Sequence, residues 1–174
     1  MKIRNGFVSN SSSSSFIVAL PVMPQTEAEL QEMLFGDEKF YPNPYIFGDR
    51  DKYGWCAEEV TATVFADFQK PEAVINRDAA VEVVENGYLD SADMPEYPSY
   101  DTRLSPENRM KEFDRYHEAL TEANRKVVDE FLSKVPDGSV LVHVEYSDND
   151  GQYFTALEHG PLFNKLQHLR VSHH

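Results

Sequence analysis

Cysteine is almost absent from this sequence. Cys56 is the single cysteine among 174 residues, so the chain cannot form an internal disulfide or a zinc site of several thiolates. Disulfide-stapled scaffolds are typical of secreted proteins, and their exclusion favours the reducing cytoplasm. No residue pattern supplies a base for a cysteine nucleophile, so we expect Cys56 to pack in the fold.

Long apolar runs are also missing. The run 16–20 is much shorter than the hydrophobic region of a signal peptide, although Lys2 and Arg4 precede it. No stretch has the length that crosses a bilayer. The sequence therefore predicts a cytoplasmic protein without a membrane partner.

Basic residues are scarce. The chain has 16 Lys and Arg against 30 Asp and Glu, which gives a formal net charge of −14. Such a charge repels the phosphates of nucleic acids and disfavours direct nucleic-acid binding. It suits a cationic partner, a metal ion or a surface that imitates nucleic acid, and solubility alone is the simpler explanation.

The common catalytic signatures are missing as well. The chain has no G-x-x-x-x-G-K-[ST] phosphate loop, no G-x-S-x-G nucleophile motif and no H-E-x-x-H zinc motif. His143 and Glu145 have the H-x-E spacing of zinc deaminases, but the P-C-x-x-C partner is absent. A site in this chain must therefore be inferred from residues that the fold brings together.

A serine tract is the most unusual feature that is present. Five serines, 11–15, separate the apolar pair Phe7-Val8 from the apolar run 16–20. Serine runs are typical of flexible linkers, whereas apolar residues on both sides favour an anchored structural loop. Successive hydroxyl and N–H donors can also bind an anion such as phosphate. In that interpretation the anion is bound by Ser9, Asn10, Ser11, Ser12 and Ser13. A third interpretation is that the tract is a substrate for modification.

Helix and strand signals alternate along the first three quarters of the chain. A buried strand is predicted over 16–20, and a helix over 27–35 begins at the capping pair Thr26 and Glu29. Three further helices are predicted: over 57–70, where a strand pattern competes; from Pro71 to Asn86-Gly87; and over 107–135.

The C-terminal part has the clearest strand pattern. Along 140–146, Val140, Val142, Val144 and Tyr146 alternate with Leu141, His143 and Glu145. Residues 148–151 have the composition of a hairpin turn, and Tyr153, Thr155 and Leu157 alternate on the predicted return strand. Residues 162–170 fit a short helix or a strand. The prediction is a single α+β domain over 1–174: a small antiparallel sheet of the N-terminal strand and the C-terminal hairpin 139–158, packed against a long helix and several shorter helices. It includes a serine-rich lead-in at 1–15 and an acidic loop with prolines at 89–106.

Acidic residues and histidines concentrate near the C-terminus. Carboxylates and imidazoles that converge at one end of a hairpin would suit Zn or Mn as a cofactor, and a turn at Asp150-Gly151 would place His143 opposite Glu158. The competing explanation is a hairpin turn with ordinary surface side chains. The candidate metal ligands are His143, Glu145, Asp148, Asp150, Glu158, His159, His173 and His174.

The acidic loop is the candidate surface for a protein partner. Tyrosine often anchors protein interfaces, and this loop combines tyrosines with carboxylates. A solvated acidic loop is the competing interpretation. The candidate partner-binding residues are Asp90, Asp93, Glu96, Tyr97, Tyr100 and Asp101.

Both ends of the chain carry a resemblance. The opening stretch 4–16, with Gly6-Phe7-Val8-Ser9-Asn10 and the serines, resembles the start of small uncharacterised proteins encoded by tailed phages and bacteria. The segments 146–151, 158–160 and 172–174 resemble the ending of some of them. The resemblance implies a phage or bacterial cytoplasmic context and implies no reaction.

Two functions from different classes follow. The first is an acidic binding protein that acts on a protein partner, for example as an inhibitor of a host enzyme. The second is a metal- or phosphate-dependent enzyme whose site is formed by the serine tract and the C-terminal cluster. The distance between the serines and the terminal histidines discriminates between them.

Overall fold

The computed structural model describes residues 13–41, 55–87, 89, 94–98, 103–147 and 154–173. Within these ranges the elements in chain order are β1 Ser13–Leu20, α1 Glu27–Leu34, β2 Phe40–Tyr41, β3 Trp55–Cys56, α2 Ala57–Phe68, β4 Val74–Ile75, α3 Arg77–Glu85, α4 Pro106–Leu132, β5 Val140–Ser147, α5 Phe154–His159 and β6 Gln167–His173.

The sheet is antiparallel and has the strand order β4-β5-β1-β6. The first strand in the chain therefore occupies a central position, where Phe16 lies between Val144 of β5 and Arg170 of β6. A separate two-residue ladder joins β2 to β3, with Phe40 opposite Cys56. Cys56 is half-buried where β3 meets α2.

The sheet is covered by helices on both faces. Phe16, Val18 and Leu20 share one apolar cluster with α1, α2 and α5. Ile17 and Ala19 share the other cluster with α3 and the C-terminal end of α4. Because successive strand residues point to opposite faces, a strand buried on both sides must be apolar at every position, as 16–20 is.

The predicted fold class is confirmed: an α+β chain with a small antiparallel sheet of N-terminal and C-terminal strands, a long helix and several shorter ones. The prediction of a return strand for the hairpin is wrong, since Phe154–His159 forms the helix α5. Ala156, Leu157 and Glu158 are good helix formers, and β1 already occupies the inner edge of β5. The turn residues 148–151 lie outside the described residues.

The helix predictions are confirmed in three places and corrected in one. α1, α2 and α4 form where they were predicted, and Thr26 Oγ1 accepts a hydrogen bond from Glu29 N at 3.2 Å. The helix expected from Pro71 begins later, because Val74-Ile75 first pairs with β5. Asn76 then caps α3 through a 2.9 Å bond from Ala79 N. The segment that fitted a helix or a strand forms β6.

The long helix α4 extends well beyond the core. Its 27 residues span about 40 Å. The buried residues of α4 are Asn124, Val128 and Phe131, all in its last third. Among the helices of the described ranges, none is both long enough and apolar enough to cross a membrane.

Candidate functional site at the polar end of the sheet

One end of the sheet is polar on all three long strands. β1 begins with Ser13–Ser15, and its antiparallel neighbours end there: β5 with 145–147 and β6 with 170–173. At the opposite end, Leu20 pairs with Val140. The register therefore brings the last residues of the serine tract next to the C-terminal histidine His173.

Ser15 and His173 form the central contact of this end. Ser15 Oγ lies 2.9 Å from His173 Nε2, and His173 Nδ1 lies 3.1 Å from the carbonyl oxygen of Asn86. A carbonyl can only accept, so Nδ1 carries the proton and Nε2 accepts from the Ser15 hydroxyl. The pairing resembles the hydroxyl–imidazole contact of general-base catalysis. Ser15 is only 2% exposed, however, and the bond also satisfies a buried hydroxyl.

His143 and Glu145 lie on the same face as Ser15 and His173. The register sets Ile17 opposite His143 and Ser15 opposite Glu145, and residues directly opposite share a face. Burial lowers the pKa of His143, Glu145 opposes this effect, and His173 adds to it. The prediction that His143 and Glu145 lie on one face of the strand is therefore confirmed.

A second polar chain occupies the opposite face. Arg170 donates to Ser14 Oγ at 3.2 Å from Nε and 3.1 Å from an Nη atom. That Nη atom lies 3.4 Å from His159 Nδ1, and His159 Nε2 lies 3.3 Å from a carboxylate oxygen of Glu158. Glu158 is fully buried, and apart from this contact with His159 its oxygens have no hydrogen-bond partner within the described ranges.

The described candidate ligands divide between the two faces. His143, Glu145 and His173 lie on one side of the sheet, whereas Glu158 and His159 lie on the other beside Ser14. The predicted pairing of His143 with Glu158 is wrong, because β1 is inserted beside β5 and places Ile17 there. Within the described part of the chain, no group of three His, Cys, Asp or Glu residues could hold a metal ion. Asp148, Asp150 and His174 lie outside it.

The predicted anion loop falls mostly outside the described residues. Ser13 is described and pairs with Ser147 on one side and His173 on the other. The remaining residues, Ser9, Asn10, Ser11 and Ser12, lie outside the described residues.

A groove beside the outer edge of β5 brings further charged groups together. Its volume is about 190 Å³, and it is lined by Asp67, Lys70, Glu72, Ala73, His143, Val144 and Glu145. Lys70 Nζ lies 2.7 Å from Asp67 Oδ1. His143 Nε2 is buried and has no hydrogen-bond partner among the residues that the structure describes.

Tyr146 is a neighbour of Asp67, one of the residues that line the groove. Burial raises the pKa of Tyr146 well above its ordinary value, and the neighbouring Asp67 carboxylate raises it further. Asp67 is therefore held between the Tyr146 hydroxyl and the Lys70 ammonium group.

The acidic loop is described only in part. Tyr97 is 69% exposed, and its ring lies 5.7 Å from Phe113 and 5.2 Å from Tyr116 of α4. Glu96 contributes to a shallow depression beside Tyr116. The other candidate partner-binding residues, Asp90, Asp93, Tyr100 and Asp101, lie outside the described residues.

No protein-family model matches this chain. Searches of curated proteins and of solved structures found no significant match either.

Sequence reasoning missed several residues of these sites. The candidate anion ligands ended at Ser13 and so did not include Ser14 and Ser15, and Arg170 carries no motif. If the strand order had been known, the alternation of side chains along a predicted last strand would have placed Arg170 on the same face of the sheet as Ser14. Asp67, Lys70 and Glu72 reach the groove only because β4 pairs with β5, and no local pattern signals that pairing.

Proposed function

We propose that this chain is an acidic binding protein that acts on a protein partner. The contact surface is formed by Tyr97 together with Met110, Phe113 and Tyr116 of α4, here named the Tyr97 surface. The observation that carries the proposal is the exposure of Tyr97 and Met110 at a segment of α4 that the core does not cover.

The exposure is unusual for side chains of this size. Met110 is 63% exposed and Tyr97 is 69% exposed, while the two rings of α4 that Tyr97 contacts are partly buried. Exposed clusters of aromatic residues and methionine are typical of interfaces, because they bury a large apolar area on binding. The surface also contains Tyr97, which the sequence had indicated as a partner contact.

Charge defines the kind of partner. The chain carries a formal net charge of −14, and Glu96, Glu112 and Arg115 border the Tyr97 surface, which leaves its border net negative. We therefore propose a partner whose contact area is apolar at its centre and cationic at its rim. The resemblance to phage-encoded proteins makes a host enzyme in the bacterial cytoplasm the first partner to test, with this chain as its inhibitor.

Site-specific photo-crosslinking tests the proposal. A photoreactive phenylalanine analogue replaces Met110 in one sample and Val22, which is 58% exposed, in a matched control. We expect one dominant crosslinked protein at position 110 in a bacterial host and none at position 22. The partner is then purified, and its affinity should fall at least tenfold with Met110→Asp and stay unchanged with Val22→Asp. Equal effects of both substitutions would refute the proposal.

A second candidate is the metal- or phosphate-dependent enzyme at the polar end of the sheet. The contact between Ser15 Oγ and His173 Nε2 favours it, since it shows that the serine tract and a C-terminal histidine meet. Elemental analysis of untagged protein after incubation with Zn and Mn tests the metal form. No three ligands converge within the described residues, and His173 Nε2 already accepts from Ser15, so this form requires that the metal displaces the Ser15 hydroxyl. Bound metal that the double substitution His143→Ala, His173→Ala removes would support it, and an empty protein at saturating metal would rule it out.

A further inference from the structure

We propose that the groove beside β5 binds an extended, basic segment of a protein, which adds as a strand to the outer edge of β5. One arginine or lysine side chain of the segment enters the groove. This site is separate from the Tyr97 surface, and the inference does not depend on the latter.

The outer edge of β5 is only partly covered. β4 pairs with Leu141 and Val142 of β5. Among the described residues, the last hydrogen bond on this edge is donated by His143 N to Ala73 O at 2.8 Å. Backbone groups of a strand alternate in direction, so the N–H and C=O of Glu145 point to the same outer side as those of His143. Among the described residues no strand pairs with Glu145 on that side. Exposed edges of this kind accept an added strand.

The charge of the groove selects a cation. Glu72 and Glu145 are exposed carboxylates, and among the described residues of the lining the one ammonium group belongs to Lys70, which is paired with Asp67 at 2.7 Å. Three carboxylates against one ammonium leave the groove negative. A guanidinium or ammonium group is therefore the complementary side chain, and it suits a partner of an acidic protein.

His143 supplies a directional acceptor. Its Nε2 is buried without a hydrogen-bond partner in the described ranges, and a buried polar atom left unsatisfied costs free energy. Burial lowers the pKa of this imidazole, so the ring is neutral near pH 7 and one of its nitrogens can accept. An N–H of an arginine side chain in the groove would satisfy it, while the carboxylates hold the charge.

Peptide binding measured by calorimetry tests the inference. The probe is a short, capped peptide of alternating valine and arginine, titrated into the full chain. We expect Glu145→Lys to weaken binding at least tenfold. Glu118→Lys on the exposed part of α4 makes the same charge change away from the groove, and it should change the affinity less than twofold.

Two N-methylated peptides separate strand addition from simple charge attraction. One carries N-methyl groups on its valines and the other on its arginines. A strand added to one edge uses the N–H groups of alternate residues, so one peptide should lose binding and the other should retain it. Glu145→Pro removes the outward N–H and should weaken binding in the same way. If both methylated peptides bind like the parent, or Glu145→Lys and Glu118→Lys have equal effects, the inference is wrong. Neither result affects crosslinking at Met110.

Discussion

At the residue scale, the contact between Ser15 and His173 joins positions 158 apart in the chain. Its geometry depends on Gly87, which lies against the His173 ring and Val171. A Cβ at Gly87 would lie 2.3 Å from Val171 Cγ1 and 2.8 Å from His173 Cε1. Both neighbours belong to β6, so the absence of a side chain at Gly87 lets the end of α3 approach the sheet edge.

Gly87→Ala should therefore destabilise the protein. Overpacking of this kind costs about 1–3 kcal/mol, measurable by urea denaturation. Val171→Ala removes the nearer clashing atom, so the double variant should lose less than the sum of the two single losses. Strict additivity would show that the two positions do not touch.

A second prediction at this scale concerns His143 and pH. Burial lowers the pKa of His143 below its ordinary 6.5, so the unfolded chain binds the proton more readily than the folded one. This pKa difference contributes to the free energy of unfolding. The contribution is present in full above pH 6.5 and is lost as the pH falls toward the lowered pKa of His143 in the folded protein. His143→Gln should reduce the loss of unfolding free energy between pH 7 and pH 5, and the exposed His117→Gln should not. Identical pH profiles for the two variants would contradict the assignment.

At the scale of elements, the position of β1 organises the fold. β1 carries buried side chains on both faces and pairs on both edges, so helices cover it from two sides. α3 and α4 form one cover, and Arg77 joins them through two 2.9 Å hydrogen bonds to Asp129. This bidentate geometry is the favourable kind of surface ion pair, although both side chains are about half exposed.

The pair between Arg77 and Asp129 should contribute modestly to stability. We expect Arg77→Ala to cost at most about 1 kcal/mol, with a smaller effect at high salt. A double-mutant cycle with Asp129→Ala should give a coupling free energy of about 0.5–1 kcal/mol by chemical denaturation. Zero coupling at low salt would show that α3 and α4 are held together by apolar packing alone.

At the scale of the whole molecule, the charge imbalance acts on stability as well as on partner choice. A formal charge of −14 repels itself in the compact state. Salt screens this repulsion, and a surface ion pair, which salt also weakens, contributes little to stability.

Thermal stability should therefore rise with ionic strength. From 0.05 to 0.5 M NaCl we expect a gain of about 1 kcal/mol, which corresponds to an increase in Tm of about 2–4 °C. Scanning calorimetry measures it. Glu118→Lys reduces the negative charge and should show a smaller increase, whereas a Tm that falls with salt would mean that specific ion pairs dominate.

The local patterns of this sequence determined most of its elements. The apolar run 16–20 indicated a buried strand, and it forms one. The caps at Thr26, Asn86-Gly87 and Ser105-Pro106 marked helix ends correctly, because a cap depends only on residues that are close in sequence. The fold class followed from these elements.

Tertiary structure alone decided the strand order and thus the sites. β1 pairs with both β5 and β6, so Ser15 meets His173 and His143 faces Ile17 instead of Glu158. The sequence of residues 153–157 alternates like a strand, but both edges of β1 are already paired, and Phe154–His159 forms α5. Pairing between distant strands depends on which strand edges remain open after the core is packed. No short stretch of sequence indicates which strands will pair.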